Sequence, residues 1–242
     1  MTYEAFALLY DELMYDQPYD KWLALTEPYL MEASSVLDLG CGTGSFTALL
    51  PKNLERVGVD LSEEMLTVAA AKDSSIQWLT QDITELALDR TFDVITCFCD
   101  SMNYITEAEA LDVLFERVAQ HLTDDGIFLF DVHSIWKMEN LFDGQTYSDE
   151  TDRVMYIWQT EPGDAPYSVH HDMSFFVEEA DGRYSRYDES HYQRTYPQDF
   201  YQNLISRHQL VVECIFADFD VNKTDLAEAE RIFYVIRKKT KI

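Results

Sequence analysis

Val36-Leu37-Asp38-Leu39-Gly40-Cys41-Gly42-Thr43-Gly44 runs an apolar strand pattern into three glycines at alternate positions, directly before a segment of helical pattern. Glycine adopts left-handed backbone angles without strain and lets another group approach the main chain closely. In open parallel sheets, ligands sit outside the carboxyl ends of the strands, near the switch in strand order. A bare tight turn between strand and helix is the competing reading, and the neighbouring residues decide against it.

Outward from that loop, short apolar runs alternate with helical patterns. Val36–Gly40, Val57–Asp60, Ile76–Thr80, Phe92–Phe98 and Ile127–Val132 read as strands, with helix patterns near 44–50, 63–72 and 107–122. Thr106 with Glu109 has the spacing of a capping box at the start of the last helix. Strand and helix alternating at these intervals predict parallel strands with helical crossovers. The near-continuous apolar run Val94-Ile95-Thr96-Cys97-Phe98 predicts a sheet covered on both faces. Acidic residues stand where strands end or begin: Asp60 in Val57-Gly58-Val59-Asp60, Asp82 after the third strand, and Asp93 in Phe92-Asp93-Val94-Ile95.

A dinucleotide loop of the form GxGxxG needs glycine at position 45, where this chain has Ser45. GxGxG followed in register by Asp60, Asp82 and Phe92-Asp93-Val94-Ile95 instead resembles the class I S-adenosylmethionine-dependent methyltransferases. The resemblance implies a Rossmann-like α/β fold with a seven-stranded, mostly parallel sheet and helices on both faces. It implies S-adenosylmethionine as cofactor and S-adenosylhomocysteine as product. Asp60 is expected on the ribose hydroxyls and Asp82 on the adenine amino group, with Leu61 and Ile83 as apolar neighbours of the ring. Asp38, Gly40, Cys41, Gly42, Thr43 and Gly44 of the loop, with Met65 and Cys99, complete the expected cofactor set, while Asp93 is expected to be structural.

Tyr3-x-x-Phe6-x-x-x-Tyr10-Asp11, Tyr19-Asp20-x-Trp22, Asp100-Ser101-x-Asn103-Tyr104 and Asp218-Phe219-Asp220 before Arg231-Ile232-Phe233-Tyr234-Val235 resemble a group of small bacterial methyltransferases. Residues 3–31 read as mostly helical, broken by Pro18 and Pro28, with Phe6, Leu9, Tyr10, Leu13 and Met14 on one face. In related enzymes such helices fold over the cofactor, so Tyr10, Tyr15 and Trp22 are the expected lid contacts. No Arg precedes Arg56, so Thr43, loop amides or a Tyr hydroxyl are left to hold the cofactor carboxylate.

On the acceptor side, the fourth strand ends in Phe98-Cys99-Asp100-Ser101-Met102-Asn103-Tyr104, without the Pro pair typical of enzymes that methylate nucleobase amines. Asp100 and Asn103 are candidates for orienting a small substrate; capping the following turn is the competing role. His133, two residues beyond Asp131 on one strand face, is a candidate general base. No set of convergent ligands points to a metal, and His170 and His171 face opposite ways along a strand.

Residues 151–195 change to strict alternation. Val154–Gln159, Ser168–Glu178 and Arg183–Arg194 read as antiparallel strands, joined by Pro162-Gly163-Asp164 and Asp181-Gly182. Val169, His171, Met173, Phe175 and Val177 share one face, and Tyr184, Tyr192 and Tyr196 are expected to share a face further on, forming aromatic walls. Residues 197–207 return to helix, before strands at His208–Phe216 and Arg231–Arg237. The predicted organisation is one methyltransferase domain over 1–242: a helical lid at 1–31, a cofactor-binding core at 34–150 and 196–242, and an antiparallel substrate lid inserted at 151–195.

Forty-five acidic against 18 basic residues give a formal charge of -27 across 242 residues. That surface repels polyphosphate, so nucleic acid and anionic membrane are disfavoured as partners. No apolar stretch is long enough for a transmembrane helix, and Glu4, Asp11, Glu12 and Asp16 interrupt the start where a signal peptide would be apolar. Cys41, Cys97, Cys99 and Cys214 show no zinc-ligand spacing and read as reduced thiols of a cytoplasmic protein. The expected reaction is methyl transfer to an N or O nucleophile of a small molecule. A protein or RNA acceptor, and a non-catalytic cofactor-binding regulatory module, are the alternatives; monomer and homodimer both stay open.

Overall fold

The computed structural model describes residues 17–239; the contacts expected of Tyr10 and Tyr15 lie outside them. The first described helix, α1 (Tyr19–Leu30), leads into β1 (Ser35–Leu39), β2 (Glu55–Asp60), α2 (Glu63–Lys72), β3 (Gln77–Thr80), β4 (Phe92–Cys97), α3 (Ala108–His121) and β5 (Leu122–His133). After a short α4 (Ile135–Asn140) come β6 (Thr146–Glu150), β7 (Val154–Pro162), β8 (Ser168–Glu178) and β9 (Tyr184–Arg194). Helix α5 (Gln198–Arg207), β10 (Leu210–Ala217) and β11 (Arg231–Lys238) complete the described chain.

Seven strands form one sheet in the order β10-β11-β5-β4-β1-β2-β3. β1 pairs in parallel with both β2 and β4, and only β11 runs against its neighbours β5 and β10. Strand order therefore reverses beside β1, which puts the glycine loop after Leu39 at the switch point, where a crevice opens. Alternate residues fill two cores. Leu37, Val59, Ile95, Phe128, Phe130 and Tyr234 pack under α3 and α5, while Val36, Val94, Leu129 and Phe233 pack with Trp22 and Leu30 of α1 on the other face. The apolar runs of the central strands follow from this two-sided burial.

β6, β7, β8 and β9 form a second, antiparallel sheet. Its edge strand β6, Thr-Tyr-Ser-Asp-Glu, is polar and largely exposed, so it lacks the apolar alternation that marks a strand in sequence. Acidic side chains on such an edge discourage pairing with another chain. The expected face of Val169, His171, Phe175 and Val177 is buried. Tyr184 and Tyr192 share the opposite face, paired with Glu178 and His170; Tyr196 does not join them but lies past the strand, stacked on Phe200 with ring centroids 4.2 Å apart.

Three further expectations are corrected. Residues 44–50 form no α-helix but one 3-10 turn, Thr47–Leu49: Pro51 has no N–H to continue a ladder, and the Thr47 hydroxyl is drawn to Asp38 at 2.5 Å. The Thr106–Glu109 box does not form; α3 starts at Ala108 with Glu107 as an N-cap that makes no side-chain bond, and the Thr106 carbonyl accepts from Arg194 and Tyr196 instead. Pro28 does not break α1 but sits inside its last turns. Among the described residues no helix is long and apolar enough to cross a membrane.

Candidate active site

Gly40, Gly42 and Gly44 have φ of +66°, +53° and +72°, the left-handed region that side-chain-bearing residues rarely occupy. Two of them also need the missing side chain for packing. A Cβ on Gly40 would lie 2.7 Å from Ser101 Cβ, and one on Gly44 would lie 2.5 Å from Trp78. Gly42 differs: a Cβ there meets nothing within 4 Å. Its backbone borders open space at the carboxyl end of β1.

The loop amides are mostly engaged. Gly40 and Cys41 donate to the Val59 carbonyl at 2.8 and 3.0 Å, and Gly44 to the Cys41 carbonyl at 2.9 Å. The Gly42 N–H donates to Asp60 Oδ2 at 2.7 Å. Thr43 is buried and its hydroxyl accepts from Lys72 Nζ at 3.1 Å. These partners occupy the Gly40, Cys41, Gly42 and Gly44 amides, and the Thr43 O–H stays the expected donor to a cofactor carboxylate.

Asp60 also accepts the Ser62 N–H through Oδ1 at 2.9 Å. Two fixed donors set the carboxylate plane, and each oxygen keeps a lone pair for a further donor. Leu61 beside it is 70% exposed. Met65 lies half-buried one turn into α2. Asp82 caps the 3-10 turn Ile83–Glu85, accepting the Thr84 N–H and hydroxyl on Oδ1 at 2.8 and 2.7 Å. Ile83 packs against the core under α3.

Asp38 does not face the crevice. Thr47 and Thr96 donate to its two oxygens at 2.5 and 2.8 Å, and burial pushes its carboxyl up to about 6. Its contribution is to anchor the loop from below. Asp93 works at the other end of the sheet, where Ser34 and Ser35 donate to it through backbone and hydroxyl groups.

Across the crevice, β4 ends in two left-handed non-glycine residues, Cys99 (φ 55°) and Asp100 (φ 52°). Each such residue costs about 1–2 kcal/mol, so outside bonds must hold the turn. Arg231, at the start of β11, donates to Asp100 Oδ1 at 3.0 Å and to the buried Asp131. Gln193 of β9 donates to Asp100 Oδ2 at 2.8 Å. Burial pushes the Asp100 carboxyl up, but His133, Arg231 and Gln193 together hold it well below the usual carboxylate range. Burial raises Asp131, with Arg231 opposing.

His133 Nε2 lies 3.5 Å from Asp100 Oδ2. Burial lowers the imidazole to about 4 despite that carboxylate, so the ring is neutral at pH 7. Its Nδ1 is buried and has no hydrogen-bond partner. Asn103, in contrast, is buried and held on both sides: it donates to the Arg194 carbonyl and accepts the His133 N–H, both at 2.9 Å. It does not cap its own turn but stitches β9 to the end of β5. Trp22 is likewise a core residue, edge-on to Phe219 at 4.8 Å with the Arg231 guanidinium 5.4 Å from its ring, rather than a lid contact.

Arg231, Gln193 and His171 were missed as site residues. One signal existed: an arginine opening the apolar run Ile232-Phe233-Tyr234-Val235-Ile236 of a central strand is out of place unless paired.

The family described as "Methyltransferase domain" matches residues 36–126. Over 247 residues the chain is 40% identical to the protein described as "Putative methyltransferase YqeM" of Bacillus subtilis (strain 168), covering 100% of this chain and 99% of that one. A crystal structure of an S-adenosylmethionine-dependent methyltransferase from Clostridium acetobutylicum ATCC 824 superposes with a TM-score of 0.87 at 32% identity, covering 99% of this chain and 100% of the other. A Streptomyces fradiae protein named as a dTDP-3-amino-3,6-dideoxy-alpha-D-glucopyranose N,N-dimethyltransferase is 31% identical over 122 residues, half of this chain and 47% of its own. With near-complete coverage at such identity, and with the strand order and glycine loop described above, the chain belongs to the class I S-adenosylmethionine-dependent methyltransferases.

Proposed function

We propose that the protein methylates an N or O nucleophile of a small molecule, bound between the carboxyl ends of β4 and β5 and the antiparallel sheet. The cofactor supplies a sulfonium methyl whose leaving group is a neutral thioether, so the protein mainly aligns the reacting groups and excludes water. The open left-handed Gly42 beside the oriented Asp60 carboxylate carries the reading. A backbone with nothing over it and a carboxylate with spare lone pairs fit a ribose diol, and exposed Leu61 with Ile83 fits an adenine face. Asp82 would take the adenine amino group, and Gly40, Cys41, Gly44, Met65 and Cys99 would complete the pocket wall.

The acceptor assignment rests on how the second sheet is attached. Its last strand is bonded to the core through Asn103, through Gln193 and, just beyond the strand, through Thr195, whose hydroxyl donates to the His133 carbonyl at 2.6 Å. A wall fixed there shields one side of the crevice, as a small substrate requires. A formal charge of -27 disfavours RNA, and the Streptomyces relative, named for an amino sugar, supports a small acceptor. The test is incubation of the protein with isotope-labelled S-adenosylmethionine and a metabolite extract, read by product mass. A labelled small molecule supports the proposal. Label entering only protein or RNA overturns it, and cofactor binding without turnover of any acceptor assigns a regulatory role instead.

A further inference from the structure

The antiparallel sheet reaches the core through a hydrogen-bond chain whose direction is fixed at each step. Trp158 Nε1 is a donor only, and it points at His171 Nδ1 at 3.0 Å. His171 is buried, and burial lowers it to about 4, so it is neutral with its hydrogen on Nε2. That nitrogen lies 3.1 Å from Gln193 Oε1 and donates to it. The amide orientation follows: Gln193 Nε2 faces Asp100 Oδ2 at 2.8 Å and donates. Arg231 holds the other oxygen of Asp100. Asp100 accepts only, and the next group along is His133 Nε2, 3.5 Å from the same oxygen.

We propose that Gln193 is a positioning residue of the transfer site, which through Asp100 holds His133 in its Nε2–H form and leaves Nδ1 bare for a hydrogen of the methyl acceptor. The inference rests on the small-molecule reading above and adds to it the acceptor's chemistry: the group that meets His133 carries an N–H or O–H. A carboxylate, which only accepts, would face a bare lone pair. The observations agree from both ends. Nδ1 is a buried nitrogen with no partner in the protein, on a side chain 6% exposed. The charged groups acting on the ring are Asp100, which favours its cation, and Lys137 and Arg231, which oppose it; burial, acting in the same direction as the two cations, outweighs Asp100. The left-handed Cys99–Asp100 turn does not hold Asp100 by backbone preference, so its placement depends on Gln193 and Arg231.

The test is nitrogen NMR of histidine-labelled full-length protein, which needs no acceptor. At pH 7 the wild type should show His133 and His171 as neutral Nε2–H tautomers. In Gln193→Leu the His133 signal should move toward a tautomer mixture and its titration midpoint should change, while the Trp158→Phe variant should release His171 first. A wild-type His133 protonated at Nδ1, or a His133 signal identical in folded Gln193→Leu, overturns the proposal. Should Gln193→Leu not fold, the wild-type tautomers and Trp158→Phe still decide. With an acceptor in hand, Gln193→Leu should lower kcat about tenfold or more, the scale of a lost hydrogen bond to a charged group, and Gln193→Glu should not restore it. Failure of the metabolite screen would leave the tautomer result standing, so the two readings fail separately.

Discussion

The Asp60 carboxylate accepts the Gly42 N–H at 2.7 Å while Gly42 itself borders open space. One side chain thus shapes the loop and faces the crevice that the loop encloses. Asp60→Ala should weaken S-adenosylmethionine binding by at least about tenfold, because losing hydrogen bonds to a charged acceptor costs about 1.5–3 kcal/mol. Calorimetry on the folded variant reads this directly. Unchanged affinity would remove Asp60 from the ribose.

Asp82→Ala should cost less affinity than Asp60→Ala. In the proposed pocket the apolar contacts of Leu61 and Ile83 with the adenine ring persist without Asp82, whereas Asp60→Ala also releases the Gly42 N–H that shapes the loop. The same titrations rank the two; a larger loss at Asp82 would reverse the assignment of the dominant contact.

Two glycines separate packing from binding. A Cβ on Gly58 would lie 2.4 Å from Trp78 and 2.9 Å from Cys41 Sγ, so Gly58→Ala should destabilise by about 1–3 kcal/mol through overpacking. Gly42→Ala has free space around the new methyl but a φ of +53°, costing about 1–2 kcal/mol and projecting into the proposed cofactor space. Denaturant melts and calorimetry should therefore show Gly58→Ala as mainly a stability defect and Gly42→Ala as mainly a binding defect. Normal cofactor affinity in Gly42→Ala would place the cofactor elsewhere.

What the sequence made legible was local and periodic. The glycine spacing, the apolar strands, and the alternation in Ser168–Glu178 each carry their structure within about ten residues, and each appears as expected. Other departures depend on partners distant in sequence. Asn103, a substrate candidate from sequence, is buried with its amide bonded to Arg194 and His133. Trp22 matched a lid, but Arg231 and Phe219 hold it in the core. Arg231 reaches Asp100 and Asp131 across some hundred residues, a pairing no periodicity records. Thr106 failed as a cap because tertiary bonds to its carbonyl outbid a local motif worth about 1 kcal/mol.

Burial of two neutral histidines links stability to pH. His133 and His171 are each lowered to about 4, against about 6.5 in the unfolded chain. Between those values the unfolded state binds the proton and the folded state does not, so this stabilisation is full above 6.5 and lost as pH falls toward 4. At pH 5 the loss is about 2 kcal/mol for each ring. Asp38, raised to about 6, gains stability over much of the same interval, and so does relief of repulsion among the excess acids. The specific signal is therefore a difference: the stability gap between wild type and His171→Gln should narrow by about 2 kcal/mol from pH 7 to pH 5. A gap constant with pH would mean that His171 charges freely in the folded protein.

The last expectation concerns the outer half of the antiparallel sheet. Ser174 and Asp188 are register partners, as are Met173 and Glu189, so residues 174–188 can be replaced by Asn-Gly, the pair that favours a tight hairpin turn. The inner half keeps the pairs His171 with His191 and Val169 with Gln193, and with them the bonds from Gln193, Arg194 and Thr195 to the core. Cofactor affinity should then stay within about threefold, under 1 kcal/mol. If the whole antiparallel sheet forms the proposed acceptor wall, turnover of the acceptor should be lost, because the face carrying Phe175, Val177 and Tyr187 is removed. Val154 loses its buried neighbour Val177 in this variant, so a cooperative melt and a monodisperse solution are required before activity is compared. A soluble, cooperatively folded short hairpin that methylates its acceptor at the wild-type rate would assign the outer sheet a purely structural role.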